Sequence, residues 1–413
     1  MSLPSGQVLA RLVDPITSTS AQSVFVISPE GDSLLRGTDV MLHAAFVATP
    51  DANGARWHPA LGGWAAVKQF QITDMRGQTL FILREAARWM HYKLTTMPQS
   101  QATDLENELS LVNRAITTNA ALAYTTAQFR SAPDGYAVVA DSTATPRFTL
   151  NLSRMCDLFA RGMLPLHRTG PLRIAVTWET AAANMFCRAT DNTLTAAVTG
   201  IAPVYAQLSY SLLSSPALAA ALPKEINFLF QQPELVSASV SADITRKTYS
   251  LGLNSQRVSS VVLGINDSAL AYINAKGCGN IGLNAVVNGR ALFPVDIDGG
   301  SVLGETEAAV GPLGIQAGGY HQPLTFGTGP SNISADDVLH NAGKSTCAWM
   351  ALDLRTVKSA PQPNPANALE IDQAGFTLAF QKNETISGTL YGWGIVERQL
   401  MIGQPKQGVL QVL

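Results

Sequence analysis

Arg147-Phe148-Thr149-Leu150-Asn151-Leu152, Met163-Leu164-Pro165-Leu166 and Leu172-Arg173-Ile174-Ala175-Val176-Thr177-Trp178 follow one another in a single stretch of the chain. In the last of these runs Leu172, Ile174, Val176 and Trp178 alternate with Arg173, Ala175 and Thr177, the period of two that places apolar side chains on one face of a strand. Ser153 to Arg161 reads as a short helical stretch between the first two runs, and His167 to Pro171 reads as a turn before the third.

The same texture extends in both directions. Towards the N-terminus, Ser23 to Ile27 is a strand closed by Ser28-Pro29-Glu30-Gly31, and Asp39 to Ala48 is a second. Trp64 to Thr73 is a third, turned by Asp74-Met75-Arg76-Gly77 into Thr79 to Leu83. Towards the C-terminus come Val204–Leu213, Tyr249–Leu253, Val258–Ile265 and Thr346–Arg355, then a proline-rich loop over Ala360–Pro365, then Phe376–Gln381 and Thr389–Ile402. Short runs bounded by Gly, Pro, Asn and Asp define an all-β chain. LRIAVTW followed by VYAQLSYSLL is echoed by FTLAFQ followed by TLYGWGIVERQL, and the Trp64 strand by the Val258 strand. This order points to an internal duplication of one β sandwich, with domains over 1–215 and 216–413 and a boundary near Ser214 to Lys224.

Two segments depart from the pattern. Between Thr103 and Phe129, Leu105, Leu109, Val112, Ile116 and Ala123 fall at helical spacing, and Thr103 with Glu106 offers a capping box. This predicts a helix inserted in the first domain over 103–129. Its stripe follows coiled-coil spacing, so Leu105, Leu109, Val112 and Ile116 read either as a subunit-packing surface or as a helix lying along its own sandwich. No other helix is expected beyond 153–161. Gly299 to Ser331 is Gly-rich and, after Glu307, uncharged except for His321, and it reads as a long exposed loop or one that orders against a neighbour.

Composition narrows the function. The 413 residues are 46% hydrophobic but only 14% charged, and the formal net charge is -2. An average soluble domain is roughly 25% charged. A surface largely taken up by partner contacts would look like this, because desolvating charge is costly. Lys and Arg are scattered, with no basic arm to neutralise phosphates, so direct nucleic-acid binding is not expected. No signal peptide is legible at Met1 to Val13, and the uncharged stretch Asn192 to Pro223 is broken by Pro203 and Pro216, which argues against a membrane span.

Patterns that carry chemistry are weak. Gly277-Cys278-Gly279-Asn280-Ile281-Gly282 spells G-x-G-x-x-G, but Leu283 to Gly289 reads as a strand and a turn where a dinucleotide site needs a helix. The six histidines, His43, His58, His91, His167, His321 and His340, have no metal-ligand spacing, and Cys156, Cys187, Cys278 and Cys347 read as buried small residues. His167 is placed to cap a backbone carbonyl. Carboxylates such as Asp353, Glu370 and Asp372 could pair in space for glycosidase-like chemistry, which no spacing in the sequence shows. The tryptophans are spread one per strand region, as core anchors are. No catalytic, cofactor-binding or metal-ligating residue is therefore assigned.

With these residues in view, the chain resembles the double jelly-roll viral major capsid proteins, the lineage of tectiviruses, adenoviruses and other large or lipid-containing DNA viruses. Three stretches carry the resemblance: Gly63 to Ile72 running into Gly77-Gln78-Thr79-Leu80, Phe148 to Leu152 followed by Leu164-Pro165-Leu166 and Gly170 to Ile174, and Gly375 to Phe380. The resemblance implies two tandem eight-stranded jelly rolls and no enzymatic activity. It implies a homotrimeric, pseudo-hexagonal capsomer that tiles an icosahedral virion shell assembled inside the host cell. Partners would be further copies of the chain and penton or minor capsid proteins, with room for an internal membrane. The competing expectations are a carbohydrate-binding or adhesin-type β sandwich and a β-rich glycoside hydrolase.

Overall fold

The computed structural model describes residues 6–50, 55–57, 61–96, 137–138, 147–188, 198–241, 245–267, 280–297, 301, 305–306, 308–309, 350–355, 368–382, 388–403 and 410–412. The first sandwich is built from β1 (Gln7–Val13), β2 (Gln22–Ile27), β3 (Ser33–Pro50), β4 (Val67–Asp74), β5 (Thr79–Arg84), β6 (Arg147–Asn151), β7 (Leu172–Trp178) and β8 (Val198–Ser214). The second is built from β9 (Ile226–Val240), β10 (Lys247–Gly252), β11 (Gln256–Asp267), β12 (Asn280–Val287), β13 (Arg290–Ala291), β14 (Met350–Asp353), β15 (Phe376–Lys382) and β16 (Gly388–Ile402).

Hydrogen bonding orders the first sandwich as β1-β8-β3-β6 facing β2-β7-β4-β5, and the second as β9-β16-β11-β14 facing β10-β15-β12-β13. All these pairings are antiparallel. Each strand of the second sandwich occupies the place of the strand eight positions earlier. Two Greek-key sheets with this interleaved order make a jelly roll. The duplication read from LRIAVTW and FTLAFQ is thus a duplication of topology: β7 and β15 hold the same place in one sheet of their respective sandwiches, β8 and β16 in the facing sheet.

Period-two burial explains each ladder. In β7, Leu172, Ile174, Val176 and Trp178 point inward, against Phe25, Phe70 and Ile72 of β2 and β4. An aromatic cluster fills the centre. Trp57 lies 4.6 Å from Phe186 and 5.3 Å from Phe148, and Phe46 lies 5.3 Å from Trp178. The expected turn at Asp74 is locked by the Asp74 carboxylate, which accepts from the Arg76 and Gln78 amides at 2.9 and 2.8 Å. Between β12 and β13, Asn288 and Gly289 take φ of 53° and 73°, the left-handed pair a two-residue hairpin requires.

Several features differ from the reading of the sequence, among them the short helical turns Leu166–Thr169, Ala182–Met185 and Pro216–Ala221. Trp64 to Ala66 form a buried 3-10 turn rather than the start of a strand, and β4 begins at Val67. Helix α1 (Ala86–Thr96) was not expected. Ala86 to Tyr92 are buried on every side, so the segment has no polar stripe to reveal its period. β9 contains Pro233, which argues against a strand; it is tolerated because β9 lies at a sheet edge. Within the expected long loop, Ser301, Glu305, Thr306, Ala308 and Ala309 are helical, and Thr306 Oγ1 accepts from the Ala351 amide of β14 at 3.1 Å. The rest of that loop lies outside the described residues. So does the helix expected over 103–129, with Leu105, Leu109, Val112 and Ile116.

The short helical stretch at 153–161 is present as a 3-10 turn, Leu152–Arg154, and helix α2, Asp157–Ala160. Strand β3 passes this helix at Gly37, where an added Cβ would lie 2.2 Å from the Phe159 carbonyl oxygen. Gly37→Ala therefore has to push backbone against backbone, and is expected to cost about 1–3 kcal/mol, read as a lower midpoint in thermal unfolding.

Candidate functional site

The sites proposed from sequence do not converge on an active centre. Asp353 is buried in a bidentate pair with Arg355, Nε and Nη2 each 2.9 Å from a carboxylate oxygen. Asp372 caps the Ala374 amide at 2.7 Å, and Glu370 sits on the short strand Leu369–Ile371 beside β11. The Asp353 and Asp372 carboxylates are thus engaged within the fold. The last part of the G-x-G-x-x-G stretch, Asn280 to Gly282, opens β12 and not a helix, so no helix N-terminus meets a phosphate there. Cys156 is buried, and burial raises its thiol far above the reactive range. His167 Nδ1 donates to the Ser33 carbonyl at 3.4 Å, the capping role expected of it. Trp57, Trp64, Trp178 and Trp393 are fully buried anchors.

Among the described residues, His43 makes an arrangement that resembles nucleophile chemistry. Its ring bridges Ser209 Oγ (2.7 Å from Nε2) and Thr149 Oγ1 (2.9 Å from Nδ1) across β8, β3 and β6. His43, Ser209 and Thr149 all lie on paired strands of one sheet. The arrangement ties three strands together on the outer face of the sheet, and partial burial lowers the imidazole's pKa, favouring its neutral form.

A second organised surface is the seam between the sandwiches. In the sheet β9-β16-β11-β14, Leu390 and Val396 with Val261 and Leu263 face the second sandwich's own core. Trp393 and Ile395 with Val262 and Ala351 face the opposite way and join the core of the first. Trp393 packs edge-on against Trp89 of α1 at 5.4 Å and donates from Nε1 to the Arg84 carbonyl at 3.4 Å. The Arg88 guanidinium lies 4.1 Å from the centre of the Tyr391 ring. Asp157 of α2 accepts from the Gln231 amide of β9 at 2.8 Å, and Arg168 donates to the carbonyls of Leu222 and Pro223 in the connection. The missed helix α1 thus contributes Trp89 and Arg88 to the seam, beside the packing of β5 and α2 on β9, and its all-round burial was the feature that hid it.

Glu397 lies on the same seam, opposite Gln231 in the ladder, with the Arg257 guanidinium 3.7 Å away. Burial outweighs that cation and pushes the carboxyl up to about 7. A folded-state value above the unfolded one means the folded protein holds the extra proton. Stability contributed by this group is therefore full below about pH 4.5 and lost as pH rises through 7. Glu397→Gln is expected to remove that slope and to stabilise the protein above pH 7 by about 1–2 kcal/mol in denaturant titrations, with little effect near pH 5.

No protein-family model matches the chain, and no curated protein sequence does. Solved structures match along its whole length. A crystal structure of PBCV-1 VP54, fitted into a cryo-EM reconstruction of the virophage Sputnik, is 11% identical with a TM-score of 0.59, covering 100% of this chain and 97% of that one. The Faustovirus major capsid protein is 10% identical with a TM-score of 0.58, covering 98% and 91%. The mavirus major capsid protein is 10% identical with a TM-score of 0.51, covering 98% and 90%. Strand order and whole-chain superposition agree: the chain has the fold of these viral capsid proteins, two jelly rolls in tandem.

Proposed function

We propose that this chain is a viral major capsid protein that assembles as trimeric, pseudo-hexagonal capsomers into an icosahedral shell, with residues 1–215 and 216–413 as its two rolls and no enzymatic role. The observation that carries this reading is the repeat of the main strand order between the two sandwiches, together with the end-to-end structural likeness to proteins named as major capsid proteins. Two similar blocks per chain let three chains imitate a hexagon, which one gene product can then tile. The low charge of the chain fits the same reading, since an obligate trimer of this size should bury more than about 2,000 Å². Penton or minor capsid proteins, and a membrane beneath the shell, belong to this proposal as further partners. The segment with Leu105, Leu109, Val112 and Ile116 is the candidate subunit-packing helix of this proposal, the alternative being a helix along its own sandwich.

Light scattering on the purified chain should give a trimer at micromolar concentration, and negative-stain images should give hexagonal outlines or shells. Monomers alone at those concentrations overturn the reading, and glycan binding by such a monomer would favour an adhesin. Val112→Asp with Ile116→Asp tests the helix: folded chains that no longer trimerise are expected, and normal particles exclude it from the interface.

A further inference from the structure

Two carboxylates flank Gln231 where α2 of the first sandwich meets β9 and β16 of the second. Glu397 is the buried one: its side chain is 5% exposed, with the Arg257 guanidinium of β11 3.7 Å away. Among the described residues its Oε1 has no hydrogen-bond partner, nor has the buried Nε2 of Gln231 directly across the ladder. Burial keeps this carboxyl protonated up to about 7. Asp157 takes the other side. Its Oδ2 accepts from the Gln231 backbone amide at 2.8 Å and from Arg161 Nε at 2.9 Å. That one oxygen caps the edge strand β9 and also holds a cation of the first sandwich whose field reaches Glu397.

We infer that Glu397 is a pH-operated latch of the seam: as the neutral acid it lets α2 stay docked on the edge of β9, and as the carboxylate it draws Arg161 off Asp157 and loosens that docking. The inference concerns the contact within one chain and does not rest on the capsomer reading. Neutral Glu397 leaves Arg161 a single carboxylate to serve. Ionised Glu397 is a buried anion whose neighbouring cation, Arg257, is half-exposed, and a poorly compensated charge in the seam is costly. Arg161 is 37% exposed, so its long side chain has room to turn from one carboxylate to the other. Without it, Asp157 holds the Gln231 amide in the field of Lys93 of α1 and Arg154, the remaining cations around α2. On the far side, Arg257 stands opposite Glu370 in the ladder. Arg398, next to Glu397 in β16, points to the opposite face of the sheet, where Glu234 holds it.

The sign follows from proton linkage. The docked state binds the extra proton, so docking is strongest below about pH 4.5 and is lost progressively as pH rises through 7. An acid moved from 4.5 to about 7 makes the undocked fraction rise about tenfold between pH 6 and pH 8, provided the carboxyl is solvated once α2 leaves.

Hydrogen–deuterium exchange on the full chain at pH 6 and pH 8, with exchange times scaled for the intrinsic rate, tests the latch. In the wild type the protection of residues 226–232 should fall about tenfold, while β15 (Phe376–Lys382) keeps its own. Glu397→Gln should keep the same protection at both pH values. Arg161→Gln, which leaves the Asp157–Gln231 bond but removes the cation to be drawn away, should also lose the step. Equal protection of 226–232 at both pH values in the wild type overturns the inference, and so does a step that survives in Glu397→Gln. A loss shared equally by β15 overturns it too, because it would report global destabilisation and not undocking of α2. Where Glu397→Gln melts below the wild type at pH 6, Arg161→Gln decides alone, and a retained step there rejects the latch.

Discussion

Trp393→Ala is expected to destabilise the protein by about 3–5 kcal/mol and to split its unfolding into two transitions. Trp393 is fully buried yet points away from the core of its own sandwich, so its loss leaves a cavity against Trp89 and an unmet Arg84 carbonyl at the end of β5. The cost falls on the coupling between the rolls. Leu390→Ala, three residues away on β16, removes a side chain from the second sandwich's own core and should lower one transition without separating it from the other. Calorimetry distinguishes the two. A single, barely shifted transition in Trp393→Ala would mean that the seam contributes little and that the rolls are held by the connection alone.

The second large effect is expected at Arg355. Arg355→Met should cost about 3–5 kcal/mol, because it leaves the Asp353 carboxylate, which is 0% exposed, without its two charge-assisted bonds. The same guanidinium reaches the Ala308 carbonyl, so the helical residues around 305–309 lose their tie to β14 as well. Removing both charges together, Asp353→Asn with Arg355→Met, should recover much of the loss, since a buried pair replaced by neutral groups costs far less than a buried charge left alone. Denaturant midpoints of the single and double variants measure the difference. Equal losses in both would show that the pair acts through packing and not through charge.

Much of the strand framework was legible because a half-buried strand writes its two faces into alternate residues. Ser23–Ile27, Thr79–Leu83, Leu172–Trp178, Phe376–Gln381 and Thr389–Ile402 all lie within or close to the strands observed. Alternation fails where burial is not one-sided. Ala86–Tyr92 are enclosed by both sandwiches and show no period, and the same enclosure makes Trp64 to Ala66 look like a strand. Val8 and Leu12 of β1, which are exposed, could not be picked out either, since an exposed apolar residue on an alternating strand has the same pattern as a buried one.

By itself the sequence determined the class, the duplication and the poverty of charge: an all-β chain in two similar halves, whose turns sit where Asp74-Met75-Arg76-Gly77 and Asn288-Gly289 demand them. These are local properties, set by backbone preference and side-chain polarity over a few residues. Only the tertiary structure decided which sheet of each roll is covered. Trp393 and Val396 on β16 serve different cores, and which face meets which neighbour depends on the docking of segments some 300 residues apart in the chain, such as Arg84 and Trp393. That choice rests on the summed burial of many distant contacts, which no window of sequence contains.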